Sequence, residues 1–174
     1  MENAVADMLK KHPLIAFSPL TDFQVTSLLD VAVEVERLLD AAVISDQSVD
    51  GVTLNKGYAL LWLWVLGAFE VLRTMAQARI CFSEDLAERI VIQKRYLSRL
   101  RMPLSKQEFQ GKAVASGLTG FLSGVDTKSR DVSFDVGGVS YSARTMLHDF
   151  RSLISTVSPT DIKARHDSTY SCRS

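Results

Sequence analysis

The sequence predicts a mainly α fold: a helical bundle of four main helices with one C-terminal β-hairpin as a minor component. Three observations carry that expectation. Apolar residues recur at helical spacing over long stretches, residues 58–69 are almost uninterruptedly apolar, and Gly137-Gly138 separates two alternating segments. The 174 residues suit a single domain. A domain of this size buries roughly 70% of the surface its unfolded chain exposes, so its core needs no staples.

Residues 1–20 read as an irregular N-terminal segment, with a short helix over 2–11 that Pro13 stops. Thr21-x-x-Gln24 has the spacing of a capping box and opens a helix over about 22–44. Within it Val25, Leu28, Leu29, Ala32, Val35, Leu39, Ala42 and Val43 repeat at helical spacing, with charged residues largely between them. Residues 45–57 are a connector, where Asp50-Gly51 carries a turn signal compatible with a small hairpin. A central helix follows from about 56. Ser83 is the expected N-cap of the next helix, with Glu84 and Asp85 where the helix dipole favours negative charge. That helix buries Leu86, Ile90, Leu97 and Leu100 and stops at Pro103.

Four glycines between 111 and 124 break any long helix, although Leu118, Phe121 and Leu122 have to pack. Next comes a hairpin at 131–143 about Gly137-Gly138, in which Val136 opposes Val139, Phe134 opposes Tyr141 and Val132 opposes Ala143. These six are expected on one face. A last helix, 143–157, carries the stripe Met146, Leu147, Phe150, Leu153, Ile154 and Val157. The domain is thus read as 21–158, and 159–174, polar and without period, as a disordered tail.

The central helix divides in two. Leu60, Leu61, Leu63, Trp64, Val65, Leu66 and Ala68 cover every direction around the axis, which is the pattern of a helix buried on all sides. Glu70, Arg73, Thr74 and Gln77 then form one polar stripe. In water, Glu70 and Arg73 are an ordinary pair worth about 0.2–0.5 kcal/mol. Inside a cleft the same residues become candidates for a site, because a buried charge needs specified partners. The apolar stretch of Tyr58–Phe69 falls short of the roughly 20 residues needed to span a bilayer, so no membrane association is expected. The first twenty residues lack the basic-then-apolar order of a secretory signal, and Cys81 and Cys172 make no disulfide framework. A cytoplasmic setting is therefore expected.

The 20 basic and 20 acidic side chains balance, which argues against a surface that tracks nucleic acid throughout. A local basic run, Lys94, Arg95, Arg99, Arg101, Lys106 and Lys112, is nevertheless a candidate phosphate-binding surface. Helical geometry scatters these charges, and only Tyr96 and Phe109 are interleaved for base stacking. His12, His148 and His166 are isolated from one another and none forms a metal pair such as H-x-x-x-H, so neither a metal nor a cofactor is expected.

Arg144 and His148 lie one turn apart on the last helix, off its apolar stripe. An arginine that neutralises a phosphate and a histidine that moves a proton could cleave RNA without a metal. In this one motif the segment resembles the HEPN family of all-helical ribonucleases, which carry an arginine and a histidine on one helix. The resemblance implies ribonuclease activity at Arg144 and His148. That family spaces the two more widely than the three intervening residues here, and a preceding hairpin is no part of its core. The leading expectation is a non-catalytic helical interaction or regulatory protein with a protein partner, a homodimer being allowed. The alternative is an RNA-binding or RNA-cleaving helical protein.

Overall fold

The computed structural model describes residues 2–106 and 122–166. Among them it is mainly helical, with five α-helices and a small three-stranded antiparallel sheet. Helix α1 (Glu2–Lys11) leads through a 3-10 turn at Pro13–Ala16 into α2 (Pro19–Ala42). Leu14 and Phe17 of this early segment are buried core residues. Helix α2 starts earlier than its capping-box spacing suggests. Ser18 is the N-cap, its hydroxyl accepting the Thr21 N–H at 3.3 Å, and Pro19 occupies the first turn, where a missing N–H loses nothing. Thr21 is buried instead of capping.

A two-stranded ribbon, β1 (Val43–Ser45) and β2 (Ser48–Val49), closes the end of α2. Asp50-Gly51 lies after this ribbon, not at its turn. The Asp50 carboxylate accepts the Val52 N–H at 3.0 Å and so caps α3 (Gly51–Gln77), which begins before residue 56 and runs for 27 residues. Against α2 its small residues permit close approach. A Cβ added at Gly57 would meet Leu38 at 3.3 Å, and one at Gly67 would meet Leu28 at 3.0 Å. The Trp64 indole N–H donates to the Leu28 carbonyl at 3.0 Å, so its polar edge is satisfied inside the core.

Helix α4 (Glu84–Lys106) continues through the buried Pro103 and does not stop there. Proline removes one backbone hydrogen bond, and this one comes a single turn before the helix ends. Strands β3 (Leu122–Asp126), β4 (Asp131–Val136) and β5 (Val139–Ser142) pair in that order, with Phe134 opposite Tyr141 and Val136 opposite Val139. Gly137 and Gly138 take φ of 59° and 81°, the left-handed turn a two-residue hairpin requires. Val132, Phe134, Val136, Tyr141 and Ala143 are buried, whereas Val139 beside the turn stays exposed and departs from the expected apolar face. Strand β3 carries no clear signal in the sequence: Ser123 and Gly124 break its alternation, and its register shifts between Leu122 and Gly124.

Helix α5 (Ala143–Ser155) is capped by Ser142, and Asp131 holds the cap by accepting the Ser142 hydroxyl and the Arg144 N–H. The ring of Phe150 meets Trp64 edge-on at 5.4 Å, and Tyr58 meets Phe134 at 6.4 Å. Residues 159–166 are not a free tail. Asp161 and Cys81 accept backbone hydrogen bonds from Ser83 and Lys163, Phe17 accepts one from His166, and Ile162 bridges Phe82. These residues cover the cluster of Phe17, Cys81 and Phe82, and burial of that cluster holds the segment down. Residues 107–121 and 167–174, including the expected loop with Leu118 and Phe121 and the end of the expected tail, lie outside the described residues.

Candidate functional site

Helix α3 is packed on three sides and open on the fourth. Helices α2 and α4 flank it, and α5 and β4 meet it through Trp64 and Tyr58. The expectation that residues 58–69 are buried in every direction is therefore corrected. Val52 is 68% exposed, Leu63 55% and Trp62 40%, while Ala59 is exposed and Leu66 half-buried. At 100° per residue, Val52, Ala59, Leu63, Leu66 and Glu70 fall within roughly 60° of one another. By length and composition this helix could cross a membrane, yet 44% of its most apolar stretch is buried inside the protein. That burial is consistent with a soluble protein.

The polar stripe continues the same open face. Glu70 lies 2.7 Å from the Arg73 guanidinium and 3.4 Å from Nε of Arg101 on α4. The Arg101 guanidinium also covers the Phe69 ring, 5.0 Å from its centroid, and the Thr74 hydroxyl donates to the Glu70 carbonyl. Glu70 and Arg73 are 42% and 51% exposed, and Gln77 is exposed, so the stripe is wet. Of these residues the fold brings Glu70, Arg73 and Arg101 together. Proximity along the chain alone puts Arg101 in the basic run, and its pairing across two helices has no signal in the sequence.

The rest of the basic run does not converge. Arg99 is exposed and Lys94 half-buried, while Arg95 lines a groove of about 740 Å³ between the 3-10 turn at Arg79–Cys81 and the outer face of α4. Arg79 and Lys163 join Arg95 there, Glu84 and Glu88 offset them, and Ile80 and Ile92 supply exposed apolar surface. The side chain of Lys106 and all of Lys112 lie outside the described residues.

Arg144 is engaged structurally. Its guanidinium meets Asp40 at 2.6 Å and donates from Nε to the Arg130 carbonyl at 3.0 Å, joining α5 to the end of α2 and to the β3–β4 turn. His148 is exposed, with a ring nitrogen 3.3 Å from the Ser152 hydroxyl. Of the other histidines, His12 lies 3.2 Å from the Asp22 carboxylate and His166 meets the Phe17 ring. Among the described residues no three His, Cys, Asp or Glu side chains are grouped to hold a metal.

Cys81 is a buried free thiol whose pKa burial raises, which suppresses the thiolate. Two buried polar atoms, Nε2 of Gln93 and the Tyr141 hydroxyl, have no hydrogen-bond partner among the described residues. Comparison with known protein families, characterised proteins and solved structures finds no match to this chain.

Proposed function

We propose that the protein is a non-catalytic interaction protein, a four-helix bundle that uses the open face of α3 to hold another protein chain. One observation carries this reading: the longest and most apolar of the described helices leaves Val52, Ala59, Trp62 and Leu63 in solvent. A contiguous apolar patch edged by polar residues marks a contact surface, and a tryptophan is a common energetic anchor there. The buried free thiol of Cys81 fits a reducing, cytoplasmic setting. RNA contact is the second reading. It draws support from Arg79, Arg95 and Lys163 meeting at one groove, and Glu84 and Glu88 in the same lining weaken it.

The test compares wild type with Leu63→Asp in affinity capture from the native host, with melting temperature and circular dichroism measured alongside. Leu63 is exposed, so the variant should fold while losing the captured protein. An unchanged set of captured proteins overturns the reading. RNA retention that weakens steeply with salt and is indifferent to Leu63→Asp favours the second reading.

A further inference from the structure

We infer that the seat of residues 159–166 is a binding groove for an extended peptide segment, held shut here by the chain's own releasable strap. None of its residues belongs to the open face of α3, so the two surfaces stand or fall separately. This groove, unlike that face, shows its occupant. Backbone pairing holds the strap in the way an added strand is held. The Ser83 N–H donates to the Asp161 carbonyl at 2.7 Å, the Lys163 N–H to the Cys81 carbonyl at 2.8 Å and the His166 N–H to the Phe17 carbonyl at 2.9 Å. Ile162 and Phe82 form an antiparallel bridge. Main-chain bonds of this kind give affinity for an extended chain, and alternate side chains give selectivity.

The alternation is present. Ile162 and Ala164 pack against the core, and the His166 ring meets Phe17 edge-on at 5.2 Å, while Lys163 and Arg165 between them are exposed. The Ser83 hydroxyl donates to the Asp161 carboxylate at 2.8 Å. The ligand class is therefore an extended segment with a carboxylate, an aliphatic residue directly after it and a small residue two further on. The strap is also built to lift. None of residues 159–166 is buried, and the Phe17–Phe82 ring pair, 4.6 Å between centroids, is made without them. A segment with few buried apolar contacts opens at a lower free energy than the whole fold. Ser158 precedes Pro159 in extended backbone, which turns the chain away from α5 and gives the strap its hinge. Cys81 reports the opening: it is fully buried, and its thiol donates to the Arg165 carbonyl at 3.6 Å, directly under the strap.

The chain holds two cysteines, so Cys172→Ser leaves Cys81 as the single thiol. In that background Cys81 should react with dithiobisnitrobenzoate at a rate that low urea barely changes, the mark of local opening. Adding Asp161→Ala should speed the reaction about tenfold, with the melting transition retained, because the strap loses its charge-assisted hydrogen bond to Ser83. A strap in the same chain acts at an effective concentration on the order of millimolar, so free peptide competes only once the strap is weakened. A capped peptide with the sequence of residues 158–166 should therefore slow the reaction severalfold in the Asp161→Ala chain, and a scrambled peptide should not. Ile162→Ser loosens the strap without touching Asp161 and should give the same order of rates if Asp161→Ala fails to fold. Reaction that depends on urea as steeply as global unfolding overturns the inference. So do rates unchanged by both releasing variants, and so does equal protection by the two peptides or none from either.

Discussion

The Ser83 hydroxyl donates to the Asp161 carboxylate across 2.8 Å, and the Ser83 N–H donates to the Asp161 backbone carbonyl at 2.7 Å. This double link ties the start of α4 to a segment 78 residues later in the chain. The Ser158 N–H and hydroxyl also donate to the same carboxylate, at 2.9 and 2.8 Å.

These donors hold the Asp161 carboxyl below its ordinary pKa of 3.8, the Ser158 N–H most strongly, then the Ser83 and Ser158 hydroxyls. A depressed folded-state pKa means that the stabilisation is fully present above the unfolded value. It is lost as pH falls through the folded value. Asp161→Asn should therefore have a flatter loss of melting temperature than wild type below about pH 4. At neutral pH it should be less stable by about 1 kcal/mol, because hydrogen bonds to a charged carboxylate are replaced by weaker ones to a neutral amide. Parallel acid limbs in thermal melts of the two proteins would contradict this account.

Arg101 and Arg73 share Glu70 but should differ in what their loss does. Arg73 makes an exposed pair within one helix, so Arg73→Ala should change stability by less than about 0.5 kcal/mol. Arg101 joins α4 to α3 and also covers the Phe69 ring, so Arg101→Ala should lose about 1 kcal/mol or more. Arg101→Lys should recover little, because an ammonium lacks the flat surface that lies over the ring. Urea denaturation of the three variants measures the order.

Two glycines with open surroundings should respond in opposite directions to alanine. Nothing lies within 4 Å of a Cβ at Gly51, whose backbone already starts α3. Gly51→Ala should stabilise by about 0.4–1 kcal/mol through the unfolded chain. Gly137 is equally open but sits at φ 59°, where a Cβ meets its own carbonyl, and Gly137→Ala should destabilise by about 1 kcal/mol. Melting temperatures of the two variants give the signs directly.

Tyr141 is buried with its ring 5.3 Å from Tyr96 and its hydroxyl without a hydrogen-bond partner among the described residues. Tyr141→Phe keeps the packing and removes a polar atom that gains nothing from burial. Its stability should equal wild type or exceed it by up to about 1 kcal/mol. A loss greater than that in chemical denaturation would mean the hydroxyl is satisfied in solution.

The sequence by itself determined what depends on local chemistry. Helices read clearly where apolar and polar residues alternate at helical spacing, as in α2 and α5. The strands around Gly137-Gly138 read clearly because only glycine readily takes both left-handed positions. The helix ends were less legible. Ser18 and Asp50 won over Thr21 and residue 56 because a cap depends on where the backbone turns, and proline and a preceding ribbon set that turn. Strand β3 was hidden because a Ser-Gly pair carries no period.

Only the tertiary structure decided which side of α3 faces water. A helix apolar in every direction has no amphipathic phase, so the spacing of residues 58–69 could not say where its neighbours lie. Burial of one arc depends on the arrival of α2, α4 and α5, elements distant in the chain. The same holds for Arg101 beside Glu70, Arg144 beside Asp40 and residues 159–166 over Phe17 and Phe82. Each is a long-range pairing, and periodicity within one segment carries no information about a partner outside it.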